Sequence, residues 1–279
     1  MSIPESQVAH FLAFADMLAD AARAAILPHF RTAVVVETKQ GTVFDPVTVA
    51  DREAEQSIRR LIESHFPEHG ILGEEFGETP SRSGFSWILD PIDGTRAFLA
   101  GLPLWGVLIA LAYEGRPIIG IIDQPYIGER FRGWPGRASL VTRDGERVLQ
   151  ARACERLTDA VIATTDSRLF APSEAAAFEQ VRATAKLARY GCDCYAYAMV
   201  ALGSIDLVIE SGLAPWDVAA LVPVVEGAGG RISDWRGEPI PNEWFARGAA
   251  RAQVVACGDV RVRDEALVAL RRSFVPPNG

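Results

Sequence analysis

The stretch Phe85-Ser86-Trp87-Ile88-Leu89-Asp90-Pro91-Ile92-Asp93-Gly94-Thr95 passes from apolar to acidic within a few residues. Its first part reads as a buried strand that Asp90 closes. Asp93-Gly94-Thr95 then reads as a tight turn into a helix start. Upstream, Ile71-Leu72-Gly73-Glu74-Glu75 repeats the plan, an apolar pair that delivers carboxylates at a strand end. Carboxylates on rigid apolar strands are costly to bury as anions. Divalent cations are the common remedy, and oxygen-only ligands favour Mg²⁺ or Mn²⁺ over zinc. The stretch therefore points to metal-assisted chemistry on phosphate.

Around it lie further acids in suggestive places. Asp45-Pro46-Val47-Thr48-Val49-Ala50-Asp51 follows Lys39, and Arg189-Tyr190-Gly191-Cys192-Asp193 leads into an apolar helical run. Glu210 and Asp217 flank the segment Ser211 to Trp216. Asp90 and Asp93 straddle a proline-stiffened turn, so both carboxylates and the Ile92 carbonyl can face one pocket. Gly94 and Thr95 would offer backbone N–H groups at a helix N-terminus, a cradle for phosphate. Singly, each feature has a plainer reading. Pro91-Ile92-Asp93-Gly94 is ordinary turn chemistry, and Asp217 or Asp51 is an ordinary first-turn acid.

Composition narrows the field. The chain has 279 residues, 49% hydrophobic and 23% charged, enough for one large core or two closely joined ones. A net charge of −8 argues against nonspecific nucleic-acid binding. The four cysteines, Cys154, Cys192, Cys194 and Cys257, lack zinc-site spacing and read as free thiols in a reducing, cytoplasmic setting. No signal peptide and no run long enough for a membrane helix is read. The four histidines all precede Glu74 in the chain and show no catalytic or metal-pair pattern.

The first 150 residues read as α+β. Ser2 and Glu5 form a capping box before a helix from Val8 to about Phe30, and Val34-Val35-Val36 reads as a strand. Thr48 and Asp51 open a second helix that carries Ala54, Ile58, Leu61 and Ile62 on one face. Strands over Trp105 to Tyr113, Pro117 to Ile122 and Glu129 to Trp134 form a meander. From 151 to 279 short strands (Ala160 to Ala163, Ile205 to Ile209, Ala252 to Cys257) alternate with helices (Ser173 to Ala185, Asp193 to Leu202, Pro215 to Glu226, Arg263 to Arg272). That alternation favours α/β layering. The expected division is an α+β metal-binding half, 1–150, and an α/β half, 151–279, that completes the site.

In order and spacing, Trp87-Ile88-Leu89-Asp90-Pro91-Ile92-Asp93-Gly94-Thr95, Gly73-Glu74-Glu75, Asp45 to Asp51 and Trp216-Asp217-Val218-Ala219-Ala220 resemble the inositol monophosphatase superfamily of metal-dependent phosphatases. Three further stretches resemble its histidinol-phosphatase branch: Pro91 to Leu104, Asp123-Gln124-Pro125-Tyr126-Ile127-Gly128-Glu129-Arg130-Phe131, and Gly191-Cys192-Asp193-Cys194-Tyr195-Ala196-Tyr197. The resemblance implies a layered αβαβα fold. It also implies hydrolysis of a small phosphorylated metabolite by direct water attack at a two- or three-metal Mg²⁺ site, with Mn²⁺ as an alternative ion. Glu74, Asp90, the Ile92 carbonyl, Asp93 and Asp217 would hold the metals. Glu74 and Thr95 would activate water, supported by Thr48 and Asp51. Gly94 and Thr95 would hold phosphate, and Asp193 and Glu210 the rest of the substrate. Lys39 and Asp45 would lie on a loop nearby. The resemblance implies a homodimer, and the charge and hydropathy already read point to no nucleic-acid or membrane partner. The favoured substrate is histidinol phosphate, for histidine biosynthesis, with inositol-1-phosphate or another sugar phosphate as the rival. A non-catalytic module binding metal or a phosphometabolite is the reading from another class. One position departs from the family pattern: Ala100 stands where members often carry a polar residue, which predicts altered substrate contacts rather than lost metal ligation.

Overall fold

The computed structural model describes residues 4–32, 36–38, 46–246, 248 and 251–276, with side chains left out at 36–38, 46 and 47. Helix α1 (Glu5–Ile26) has Pro4 at its N-cap and no side-chain cap bond, so the capping box expected from Ser2 and Glu5 does not start it. Proline has no side-chain acceptor to offer, and its carbonyl takes the N–H groups of Gln7 and Val8 at 3.0 Å each. Ser2 lies outside the described residues, as do Val34, Val35, Lys39 and Asp45. Strand β1 (Val36–Thr38) pairs antiparallel with β2 (Pro46–Thr48). Helix α2 (Val49–His65) follows directly, with Thr48 as its N-cap.

Next come β3 (Gly70–Gly73), β4 (Gly77–Thr79), β5 (Phe85–Asp93), the short α3 (Thr95–Leu99), β6 (Gly106–Tyr113), β7 (Arg116–Gln124), β8 (Glu129–Trp134), β9 (Arg137–Thr142) and β10 (Gly145–Val148). They form an eight-stranded sheet in the order β10-β9-β8-β7-β6-β5-β3-β4. Only β3 and β5 run parallel to each other. The rest of the chain holds β11 (Val161–Thr164), α4 (Pro172–Thr184), β12 (Leu187–Tyr190), α5 (Asp193–Ala201), β13 (Leu207–Leu213), α6 (Pro215–Ala219), α7 (Leu221–Gly227), β14 (Arg231–Ser233), β15 (Ala252–Cys257) and α8 (Val260–Leu270). A five-stranded mixed sheet orders these strands β12-β11-β13-β15-β14.

Strand alternation sorts side chains into three cores, and the cores define the layers. In β5, Trp87 and Leu89 face α1 and α2, packing with Leu18, Ala22, Ile58 and Ile62. Ile88, between them, faces the other way, with Leu108, Ala110 and Ile122, onto α5 and α7. Val208, Val254 and Ala256 of the smaller sheet close that middle core from its far side. Their strand neighbours Leu207, Ile209, Val255 and Cys257 turn outward onto α4 and α8. The result is helix, sheet, helix, sheet, helix: the αβαβα layering that the resemblance implied. The middle helix layer touches both sheets closely. A side chain at Gly120 on β7 would place its Cβ 2.1 Å from the Ala220 carbonyl oxygen, so only glycine lets the α6–α7 junction seat here.

Two further expectations change. The helix expected over Pro215 to Glu226 is two helices that meet at Ala220. Asp90 does not end its strand at a tight turn. Strand β5 continues to Asp93 through an irregularity, pairing Asp90 with Leu108 and Asp93 with Gly106. Three steps along β5 thus match two along β6, which is a β-bulge. In a regular strand, residues three apart point to opposite faces. The extra residue resets the alternation and brings Asp90 and Asp93 to one side.

Candidate active site

Asp90, Asp93 and Asp217 each offer a carboxylate oxygen, and these atoms lie within 4.8 Å of one another. Each acid has its own anchor. Asp90 Oδ1 accepts the Ile92 N–H at 3.0 Å inside the bulge. Asp93 Oδ2 accepts the backbone N–H of Cys194 at 2.6 Å, at the start of α5. Asp217 Oδ2 accepts the Ala214 N–H at 2.7 Å, the ordinary role of an acid in the first turn of a helix. The plainer reading of Asp217 is therefore correct as far as it goes, and the same carboxylate also faces the cluster.

Electrostatics suit the cluster to a cation. Burial pushes Asp90 well above the usual carboxylate range, and the charges of Glu74, Asp93 and Asp217 push the same way. Burial also raises Asp93 strongly, with Asp193 and Asp217 adding to it. Glu74 shares a side-chain hydrogen bond with Asp90. Acids whose closest charged neighbours are other acids repel one another in a medium that screens poorly. The donor set, carboxylates beside the Ile92 carbonyl, is all oxygen and fits a hard divalent cation.

The Ile92 carbonyl accepts a hydrogen bond from the Thr95 hydroxyl at 3.1 Å. Between them Gly94 takes φ 84°, a left-handed conformation that glycine adopts without strain. A Cβ there would also lie 3.1 Å from Asp193. The expected helix at Thr95 is present but has only five residues.

Thr48 and Asp51, at the expected helix start, form a capping box. The Thr48 N–H and hydroxyl donate to Asp51 Oδ2 at 2.9 and 2.6 Å, and Thr48 Oγ1 accepts from the Ala50 N–H. Asp51 is buried, which lifts its carboxyl to about 6 despite those bonds, and the charge of Glu74 adds to the rise. The pair thus backs the Glu74 side of the site. Sequence reading missed Glu55, one turn further along α2. It is wholly buried and accepts the N–H groups of Glu75 and Phe76 at 2.8 and 3.3 Å, so it holds the turn that carries Glu74. Arg59 Nε donates to it at 2.7 Å. The i, i+4 spacing of two acids, Asp51 and Glu55, on the apolar side of α2 was the available signal.

Asp193 and Glu210 line the same 180 Å³ cavity as Asp93 and Asp217. Glu210 Oε1 accepts the Thr165 N–H at 2.6 Å, and burial lifts its carboxyl to about 8. Asp193 is lifted to about 6 by burial, which the charge of Arg96 partly offsets. Asp193 is therefore the more fully ionised of the two at neutral pH. Positive charge beside Glu210 would draw it back toward the anion. Thr165, whose N–H fixes Glu210, was also missed, since nothing in its local sequence marks it. All four cysteines are free thiols. Among the described residues, no helix is long and apolar enough to cross a membrane.

Comparison with known proteins agrees with this geometry. The family model for the inositol monophosphatase family matches residues 7–275. The chain is 42% identical over 273 residues to the chloroplastic bifunctional phosphatase IMPL2 of Arabidopsis thaliana, covering 96% of this chain and 77% of that protein. It is also 42% identical over 192 residues to a histidinol-phosphatase of Chlorobaculum parvum, covering 69% and 73%. A solved inositol monophosphatase from Zymomonas mobilis superposes with a TM-score of 0.82 at 39% identity, covering 97% of this chain and all of that one. With its acid cluster, its layers and its relatives in agreement, the chain belongs to the inositol monophosphatase family.

Proposed function

We propose that the protein is a Mg²⁺-dependent phosphomonoesterase whose substrate is histidinol phosphate. The observation that carries the reading is the convergence of Asp90, Asp93 and Asp217 within 4.8 Å, with Asp90 buried and the other two half-buried. Glu74, Asp90, the Ile92 carbonyl, Asp93 and Asp217 would hold the metal ions. Mg²⁺ held by these residues would supply positive charge to offset that of the phosphate and would make water more acidic.

The chain's own groups do the rest. Gly94 and Thr95 present backbone N–H groups to phosphate oxygens. With its proton given to the Ile92 carbonyl, the Thr95 hydroxyl has lone pairs left to accept from the attacking water. Glu74 takes that water's proton as general base, held in place by the turn that Glu55 anchors. Water oxygen bonds to phosphorus, the ester P–O bond breaks, and the alkoxide takes a proton from a second water. Products are inorganic phosphate and the free alcohol. Asp51, tied to Thr48, keeps the Glu74 side of the site preformed.

Histidinol phosphate is favoured over a neutral polyol phosphate because two acids beyond the phosphate end, Asp193 and Glu210, suit an ammonium group. Relatives carrying the histidinol-phosphatase name support that choice. The test is phosphate release from histidinol phosphate, inositol-1-phosphate, fructose-1,6-bisphosphate and adenosine 3′,5′-bisphosphate, each with and without Mg²⁺. Highest kcat/KM for histidinol phosphate, only with Mg²⁺, is expected. Preference for the inositol ester would move the substrate to the rival. Metal-independent release would defeat the Mg²⁺ dependence, and no release from any ester would defeat the enzyme reading. A homodimer is the accompanying proposal, checked by sedimentation equilibrium.

A further inference from the structure

The 180 Å³ cavity has Asp93 and Asp217 in its wall together with Asp193 and Glu210. It therefore joins acids proposed for the metal ions to acids proposed for the departing alcohol. The ester bond that breaks lies between those two groups. Tyr197, on α5, shares the wall with them. It stands four residues after Asp193, so the two lie on one face of that helix.

Tyr197 is 2% exposed, and its hydroxyl has no hydrogen-bond partner among the described residues. A buried hydroxyl is normally paired, and an orphaned one costs free energy. Burial holds its phenol well above the usual value, and the charges of Glu210, Asp93 and Asp217 push the same way, so it stays a donor. All three acids belong to the cavity wall, which puts the hydroxyl end at the cavity. They act on it as charges, yet none accepts its proton. A group that accepts from the phenol and donates onward spans that gap, and water does both. The cavity has room for one, since a water takes up about 30 Å³ in the liquid.

We infer that Tyr197 is a positioning residue, whose hydroxyl holds the water that protonates the departing alkoxide. This rests on the reading of the site as a phosphomonoesterase for histidinol phosphate, and it adds which side chain sets the second water in place. Asp193 and Glu210, beside an ammonium group, are anions with no proton to give. The water gives a proton to the alkoxide as the ester P–O bond breaks. The hydroxide left behind is neutralised through solvent by the proton that Glu74 took. One ester and one water are consumed, and one alcohol and one phosphate are formed. Tyr197 keeps its own proton throughout.

The experiment compares kcat, KM and Tm of the unaltered protein and of Tyr197→Phe, which loses the hydroxyl alone. Histidinol phosphate and glycerol phosphate release alkoxides, which need a proton. The ester p-nitrophenyl phosphate releases a phenolate, which does not. Expected for Tyr197→Phe is kcat lowered about ten- to hundredfold for both alkyl esters and within about twofold for p-nitrophenyl phosphate. KM should stay within about twofold for all three, because the hydroxyl touches water and not substrate. Tm should hold or rise, since no bond within the protein is lost. If the unaltered protein does not turn over p-nitrophenyl phosphate, the solvent deuterium isotope effect on kcat for histidinol phosphate decides instead. It should be larger in Tyr197→Phe, where proton delivery limits turnover, and an unchanged effect overturns the assignment. An equal fall for all three esters, an unchanged kcat, a KM raised for histidinol phosphate alone, or a Tm lowered by several degrees also overturns it, and each leaves the phosphatase reading intact. No turnover of any ester by the unaltered protein overturns that reading and this inference together.

Discussion

The backbone N–H of Cys194 donates to Asp93 Oδ2 at 2.6 Å, joining residues 101 apart in sequence. Asp93 rides on the larger sheet and Cys194 on the first turn of α5, in the layer between the sheets. One bond therefore sets the distance between the acid cluster and the Asp193 side of the site. Asp193, the residue before Cys194, takes φ 44°, a strained value for a non-glycine residue. Strain of this kind persists only where the surroundings enforce it.

The cluster should trade stability for chemistry. Asp90→Asn keeps an oxygen for the Ile92 N–H and removes a buried acid that burial and three neighbours disfavour as an anion. The metal-free variant should melt about 3–6 °C higher than the unaltered protein. It should also lose most of the Tm rise that Mg²⁺ gives the unaltered protein, and about 10³-fold or more in kcat/KM. Differential scanning calorimetry with and without Mg²⁺ reads both stability effects. A lower Tm without metal would show that the acids are not in conflict.

His69 should make stability fall on mild acidification. Burial lowers its pKa from 6.5 to about 4, and its Nδ1 accepts the Trp87 indole N–H at 3.2 Å while its ring stacks on Phe66 and Phe85. The unfolded chain takes up a proton below about 6.5, and the folded chain only near 4. The stabilisation is therefore complete above 6.5 and is lost as pH falls from 6.5 toward 4. For a half-buried ring, discounted for solvent screening, this amounts to about 1–2 kcal/mol. His69→Gln retains an acceptor for Trp87 but does not titrate. Urea unfolding at pH 7 and pH 4.5 should show a smaller acid loss for that variant, and equal losses would remove His69 as a cause.

Glu55 should matter to turnover without touching substrate. Glu55→Ala strips the acceptor from the N–H groups of Glu75 and Phe76 and leaves Arg59 without that partner. The expected cost is about 2–3 kcal/mol in unfolding free energy. A fall of about tenfold or more in kcat/KM should accompany it, because Glu74 loses its anchored turn. Glu55→Gln, which keeps one acceptor oxygen, should fall between. Unchanged kcat/KM in Glu55→Ala, measured well below its Tm, would mean that β3 alone holds Glu74.

Much of the layering was readable because strand alternation and helix periodicity are local. Glu129 to Trp134 and Ala252 to Cys257 are strands with the expected bounds. The same period-2 pattern in β13 and β15 divides the middle core from the outer one. The capping box of Thr48 and Asp51 is likewise a matter of neighbours. The break at Ala220 had a local signal that the reading passed over: Pro223 has no N–H to donate to the Ala219 carbonyl four residues back and crowds it, so a helix running through both must break.

The acids of the site were legible because an apolar run ending in carboxylate is a local signal, and burying such a charge demands a remedy. The sequence by itself thus picked out Asp90, Asp93 and Asp217 as candidate site acids. Only the tertiary structure decided that they share one side: the bulge in β5 turns two of them together, and the first turn of α6 brings the third. Glu55 and Thr165 belong to that second category. A buried carboxylate and the N–H that fixes another gain their roles from partners distant in the chain, and a single chain read residue by residue does not record who those partners are.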